Sequence, residues 1–169
     1  YSLSHSGSKF VVVDDQEQVD KVLSIKSRLP KLQKLIYWDP KGLWFYEEPI
    51  LMDFKELIRL GKEYEENHPE FFEDRIREGK PSDVAFYLYT SATTGEHPKT
   101  AIHSQETFIN FGKQQLEITP LGDKDEYLSY VSPAWGDQIL GIVSQLITGM
   151  TVNFIEEPET MQENIKEIS

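Results

Sequence analysis

Val84-Ala85-Phe86-Tyr87-Leu88-Tyr89-Thr90-Ser91-Ala92-Thr93-Thr94-Gly95-Glu96-His97-Pro98-Lys99 is the stretch on which the fold turns. Its first six residues form a continuous apolar run of strand length. Such a run suits a strand buried on both faces, as in a parallel sheet. A polar, glycine-containing loop follows, from Thr90 to His103. Ser104 is placed to cap a helix that carries Phe108, Phe111 and Leu116. A buried strand leading through a polar loop into a capped helix is the unit from which α/β folds are built.

The same alternation extends in both directions. Upstream, Phe10-Val11-Val12-Val13 is a β-branched run ending at Asp14-Asp15, and Val19, Val22, Leu23 and Ile25 then recur at near-helical spacing until Pro30. Leu35-Ile36-Tyr37-Trp38 is a second apolar run. Residues 39–51 read as a loop, because Pro40, Gly42 and Pro49 break any period. A helix is predicted from Asp53, with Phe54, Leu57, Ile58 and Leu60 on one side. The charged tract 62–80, anchored only by Phe71, Phe72 and Ile76, reads as a solvated helical face, with an acidic protein-docking surface as the alternative. Trp38, Trp44 and Phe45 read as packing around the Pro/Gly loop.

Downstream, Pro120-Leu121-Gly122-Asp123 is a turn and Tyr127-Leu128-Ser129-Tyr130-Val131 a strand. Ile139, Leu140, Ile142, Val143, Leu146 and Ile147 give a stripe of 3.6-residue period, ended by Gly149 at the position where a left-handed residue closes a helix. Thr151 to Ile155 is another strand. Pro158 suits the first turn of a last helix carrying Met161, Ile165 and Ile168. About five strands separated by helices predict an α/β fold: three layers, α/β/α, around a mostly parallel sheet with right-handed crossovers. Ligands of such sheets sit at the carboxyl ends of strands, which singles out the loops after Tyr89 and after Val131.

Composition narrows the function. The chain has 169 residues and a formal net charge of −12, with 17 Lys+Arg against 29 Asp+Glu. A pI near 4.7 argues against binding nucleic acid or anionic membranes through bulk charge. No apolar run approaches the ~20 residues of a membrane helix. Zero cysteines exclude a disulfide scaffold and thiolate metal sites, and fit a reducing compartment. His5 and His68 are isolated, so no protein-only metal site is expected. No Gly-x-Ser-x-Gly elbow points to a hydrolase.

The loop 89–99 carries the chemistry. Four hydroxyl side chains, a glycine and a lysine lie within it. Hydroxyls and backbone N–H groups are what a phosphate needs, and one lysine adds a point charge. The loop is not a Walker A motif, since a single Gly95 precedes Lys99 by four positions. A polar strand-to-helix connector is the other reading of the composition.

In its residues the segment resembles the Ser/Thr/Gly-rich loop of the adenylate-forming (ANL) superfamily, Tyr-Thr-Ser-Gly-Thr-Thr-Gly-x-Pro-Lys-Gly. Thr90, Ser91, Thr93, Thr94, Gly95, Pro98 and Lys99 match. Asp125 to Tyr130, Pro133-Ala134-Trp135, Gln138, Gly149, Val152-Asn153-Phe154 and Glu157 to Thr160 are similar to bacterial long-chain acyl-CoA synthetases. So are Asp15 to Lys21, Leu29-Pro30, Ile36-Tyr37 and Asp39-Pro40. The resemblance implies an acid–thiol ligase that uses ATP, Mg2+ and CoA. A fatty-acid carboxylate attacks the α-phosphate to give acyl-AMP and pyrophosphate, and a thiol then displaces AMP. By position, Thr90, Ser91, Thr93, Thr94, Gly95 and Lys99 are expected at the nucleotide phosphates, and His103 and Trp135 at the acyl pocket; the other reading of His103 is capping or packing at the helix start, and that of Trp135 is a core aromatic packing helix on sheet. A cytoplasmic location is implied, with peripheral membrane association as the alternative.

The chain also departs from the pattern. Ala92 stands where the family usually has Gly, at a cost of order 1 kcal/mol if that position needs positive φ. Glu96-His97 occupies a place where one residue is usual, Glu96 sets a like charge beside the phosphates, and Thr100 replaces a common Gly. Weakened or altered phosphate binding is expected. The family's Tyr-Gly-x-Thr-Glu segment, its later aspartate and its C-terminal-domain lysine do not occur in these residues. The chain begins with Tyr1 rather than Met and stops at Ser169 in helical sequence. Residues 1–169 are therefore expected to be part of the N-terminal, AMP-binding domain, without the C-terminal domain. No catalytic residue is assigned, the piece is expected to be inert alone, and its uncovered apolar surface is expected to promote self-association. A non-catalytic α/β binding module and a ligase for a different carboxylate are the alternatives.

Overall fold

The computed structural model describes residues 1–90, 98–132, 135–155 and 157–168. They fall into two compact units, Tyr1–Gly79 and Lys80–Ser169.

The first unit opens with the short helix α1 (Ser2–Ser6) and then alternates β1 (Phe10–Val13), α2 (Gln16–Ser24), β2 (Lys34–Tyr37), β3 (Leu51–Asp53), α3 (Phe54–Asn67) and α4 (Phe71–Glu78). The three strands form a parallel sheet in the order β1-β2-β3, with Val11 opposite Leu35 and Leu35 opposite Leu51. The Asp15 carboxylate caps α2 by accepting the Gln18 N–H at 3.0 Å, which satisfies one of the free donors of its first turn. α2 then buries Val19 and Val22 with Leu29, Leu35 and Leu43 in one cluster, and Val19 and Leu35 have no exposed surface. Burying a Leu or Val side chain stabilises by about 1.5–3 kcal/mol, so this cluster is what holds the unit.

The loop that the Pro and Gly residues predict spans the gap between β2 and β3, and it is tied down. Tyr46 donates its hydroxyl to Asp20 at 2.7 Å and accepts from Gln16 Nε2 at 2.9 Å. The hydrogen bond to the Asp20 carboxylate raises the Tyr46 pKa, because an ionised phenol there would lose it. Gly42 has φ +83, and a Cβ there would lie 2.0 Å from Gln16 Oε1, so only glycine fits under this tie. The strand β3 lies inside the stretch that reads as loop and helix start in the sequence. Its three residues are too few to show a period.

Every residue from 61 to 80 is exposed. The tract is two helices rather than one, broken around His68-Pro69, and its charges pair locally. Arg59 bonds Glu56 at 2.8 Å and Glu63 at 3.0 Å, and these partners hold its guanidinium pKa up. Exposed pairs of this kind contribute little to stability, so the tract is held by solvation and helix propensity.

The second unit contains β4 (Val84–Tyr89), β5 (Thr100–Ser104), α5 (Gln105–Ile118), β6 (Glu126–Ser129), α6 (Gly136–Thr148), β7 (Thr151–Phe154) and α7 (Met161–Glu167). β6 and β7 pair in parallel across the helix α6, the crossover unit expected. Gly149 closes α6 at φ +79. Helices α5 and α6 meet at Gly112, where a Cβ would fall 2.6 Å from Val143 Cγ1. At Gly141 it would fall 2.6 Å from the Tyr127 ring, so α6 also sits hard against β6.

The fold is α/β with mainly parallel pairing. Two expectations about its central strand are corrected. β4 pairs antiparallel with β5, which occupies residues that read as loop in the sequence. β4 is also not buried on both faces: Val84 is 50% exposed and Tyr87 43%. The cause is its ladder. Among the described residues its strand partner is β5, and a two-stranded hairpin leaves much of its apolar surface open.

Candidate functional site

The β4–β5 hairpin places the loop. Thr90 leaves β4 and its N–H donates to the Lys99 carbonyl at 2.9 Å, just before β5 begins. The Thr90 hydroxyl reaches the same oxygen at 3.4 Å, a weak bond that leaves it available to another acceptor. Thr90 and Lys99 therefore sit side by side at the base of the loop, both exposed. Lys99 makes no ion pair among the described residues. Ser91, Thr93, Thr94 and Gly95, with Ala92, Glu96 and His97, lie outside the described residues.

The other two expected residues are placed on separate elements. His103 is in β5, half-buried, opposite Phe86 in the ladder. Its ring meets Phe108 of α5 edge-on at 5.2 Å, while Phe86 packs on Phe108 at 4.5 Å. Trp135 stands at the N-cap position of α6 and is 65% exposed. It gives α6 no side-chain cap.

Beside the hairpin lies an open apolar groove of about 770 Å3. One wall is β4 from Phe86 to Tyr89. Phe108 and Ile109 of α5 and Ile139, Ile142, Val143, Leu146 and Ile147 of α6 supply the others, with Gln105 as the polar exception. Neither His103 nor Trp135 lines it. The stripe on α6 is plain in the sequence as an apolar helix face. That it forms a groove with β4 depends on the hairpin, which the sequence does not announce. Gln138 enters the sequence reading only through the resemblance; that it is fully buried is signalled there by nothing more than a polar residue beside an apolar stripe.

What the arrangement can do chemically follows from these surfaces. A lysine and a hydroxyl at a loop base suit a phosphate-bearing ligand. The adjoining groove suits an aliphatic chain, which gains about 0.8 kcal/mol for each methylene removed from water. Among the described residues no group of three or more His, Asp or Glu side chains gathers to hold a metal. No helix among them is long and apolar enough to cross a membrane.

The chain is 29% identical over 171 residues to the long-chain-fatty-acid–CoA ligase ACSBG1 of Bos taurus, a match covering 90% of this chain and 23% of that protein. The Xenopus laevis long-chain-fatty-acid–CoA ligase ACSBG2 is 29% identical over 106 residues, 63% of this chain and 14% of the relative. The chain thus spans less than a quarter of these relatives. In three dimensions it is similar to the anthranilate CoA ligase AuaEII in complex with anthranoyl-AMP, with TM-score 0.65 and 19% identity over 100% of this chain and 30% of that one. Acetoacetyl-CoA synthetase from Streptomyces lividans gives TM-score 0.58 and 22% identity over 89% and 23% of the two chains. The family model described as AMP-binding enzyme matches residues 1–169, and the chain belongs to that family.

Proposed function

We propose that the chain is part of an AMP-forming ligase that activates a long-chain fatty acid as acyl-AMP and transfers the acyl group to CoA. The observation that carries this reading is the hairpin itself. Tyr89 lines the apolar groove and Thr90, the next residue, opens the phosphate-type loop that Lys99 closes. A carboxylate whose aliphatic tail lay in the groove would be brought toward a nucleotide held by the loop.

In the first step a carboxylate oxygen attacks the α-phosphorus of ATP, and pyrophosphate leaves. In the second the thiol sulfur of CoA attacks the acyl carbon, and AMP leaves. Thr90, Ser91, Thr93, Thr94, Gly95 and Lys99 would hold the phosphates, and Mg2+ bound with the nucleotide would neutralise their charge. Positioning and electrostatic stabilisation are what such a transfer needs from the protein. Gln105, polar among apolar liners, favours a second reading: a ligase for a different, more polar carboxylate.

The test uses the longest open reading frame that contains the chain. Carboxylate-dependent release of pyrophosphate from ATP is expected, with long-chain fatty acids preferred over short and aromatic acids. Lys99→Ala should lower kcat/KM for ATP by about 10- to 100-fold, the worth of one charged hydrogen bond, and leave the melting temperature unchanged. Absence of carboxylate-dependent release overturns the proposal. Preference for polar acids would establish the second reading. The 169 residues alone should form no acyl-CoA.

A further inference from the structure

The parallel sheet of the first unit ends in a crevice. Its strands β1, β2 and β3 lead directly into Asp14, Trp38-Asp39 and Phe54-Lys55, at the carboxyl edge where ligands of α/β proteins collect. The β1–β2 hydrogen bonds continue past the strand ends. Trp38 N–H donates to the Val13 carbonyl at 3.0 Å, and Asp39 N–H to the Asp14 carbonyl at 2.7 Å. Asp14, Trp38, Asp39, Phe54, Lys55 and Ile58 line a cavity of about 580 Å3, a size that suits a small ligand.

The three charged side chains of this cavity have no ionic partner. The Asp14 carboxylate and the Lys55 ammonium make no hydrogen bond or ion pair among the described residues. The Asp39 carboxylate accepts the Lys41 N–H at 2.9 Å and pairs with no cation there. Other exposed carboxylates of the same unit do pair: Glu17 with Lys21, Glu48 with Lys26, and Glu56 with Arg59. Beside the unpaired charges the Trp38 ring packs on Phe54, centroids 4.8 Å apart and planes at 52°, yet Trp38 stays 62% exposed.

These groups select a chemistry together. An open indole beside two carboxylates attracts an organic cation, through the ring quadrupole and through charge. Alkyl groups on that cation would also lose water against Trp38 and Ile58. Lys55 repels a bare cation and offers a partner to an anionic group on the same molecule. We propose that the crevice binds a small zwitterion, its alkylated ammonium held by Trp38, Asp14 and Asp39 and its anionic group by Lys55. The site lies beyond the strand ends, off the sheet face, and does not depend on the ligase reading.

The experiment is calorimetric titration of the 169-residue chain with phosphocholine, glycine betaine, choline and inorganic phosphate. Saturable one-to-one binding of a zwitterion is expected, at least tenfold tighter than choline or phosphate. Trp38→Leu, which keeps an apolar contact for Phe54 and removes the ring, should weaken it at least tenfold, as should Asp14→Asn/Asp39→Asn. Lys55→Met should weaken the zwitterion to the level of choline while choline binding holds or strengthens, a crossing that a loss of fold does not produce. These exposed substitutions should leave the melting temperature unchanged. No saturable binding of either zwitterion overturns the proposal. So does choline or phosphate binding as tightly as the zwitterions, or zwitterion affinity that survives the Asp and Lys substitutions. Phosphatidylcholine vesicles separate two sources of the same chemistry: cosedimentation that phosphocholine competes away assigns a lipid headgroup, and its absence beside phosphocholine binding assigns a free solute.

Discussion

The sheet β1-β2-β3 and the hairpin β4–β5 are built from similar material and end up in opposite conditions. Both are short runs of Val, Ile, Leu and aromatic residues. In the first sheet, β2 has a parallel neighbour on each side and a helix over its face, and Leu35 has no exposed surface. In the hairpin, β4 has β5 on one side and a groove along its flank, and Phe86 is 39% exposed. The residues proposed to meet the nucleotide phosphates begin at Thr90, where the hairpin's first strand ends. On the proposed function, stability and chemistry are thus assigned to different strands. A well-covered strand leaves no room for a ligand, and a strand with room for one has given up burial.

The largest test of this contrast is a matched pair of truncations. Leu35→Ala should cost about 2–5 kcal/mol in urea unfolding, because it opens a cavity in the buried cluster. Phe86→Ala removes a larger side chain yet should cost less, under about 2 kcal/mol, since much of the ring is already in water. Native-state hydrogen exchange should show the same order, slowest at the β2 amides and fast along β4. Equal costs would break the comparison.

A smaller effect locates the tight packing within the second unit. Gly141→Ala should destabilise by about 1–3 kcal/mol, because the new methyl meets the Tyr127 ring at 2.6 Å. That would put the rigid part of this unit at β6 and α6 rather than at the hairpin. The smallest effect has the opposite sign. Gly61 lies inside α3 with nothing within 4 Å of its Cβ direction. Gly61→Ala should raise stability by about 0.5–1 kcal/mol, read by the urea midpoint, because it restricts the unfolded chain without meeting a neighbour.

Much of this was legible in the residues, and the exceptions have physical causes. β1, β2, β6, β7 and the helices α2, α3, α5 and α6 follow from apolar periods and from Asp15, Asp53, Ser104 and Gly149 as their punctuation. β5 was not legible. Thr-Ala-Ile-His-Ser has one strongly apolar residue, Ile102, and that one is exposed. Its pairing also slips between Val84 and Phe86, which spoils alternation. The apolar run of β4 suggested burial on both faces, but a run reports only what a strand could bury, and its neighbours decide what it does bury. Among the expected site residues, Thr90 and Lys99 lie together because the hairpin closes there. His103 is held by ring packing on Phe108, and Trp135 stands exposed at the N-cap of α6, neither of which spacing alone encodes.

The Thr90–Lys99 closure has a further consequence, for how this site can vary. Eight residues lie between the two. The entropy of bringing loop ends together grows only with the logarithm of length, so one extra residue, such as the Glu96-His97 pair introduces, costs about 0.1 kcal/mol. Against the 2–5 kcal/mol of a single core leucine, that is negligible. The hairpin is a holder whose contents can be lengthened or shortened almost without thermodynamic penalty, so the loop is free to be selected for what it binds rather than for how well it folds.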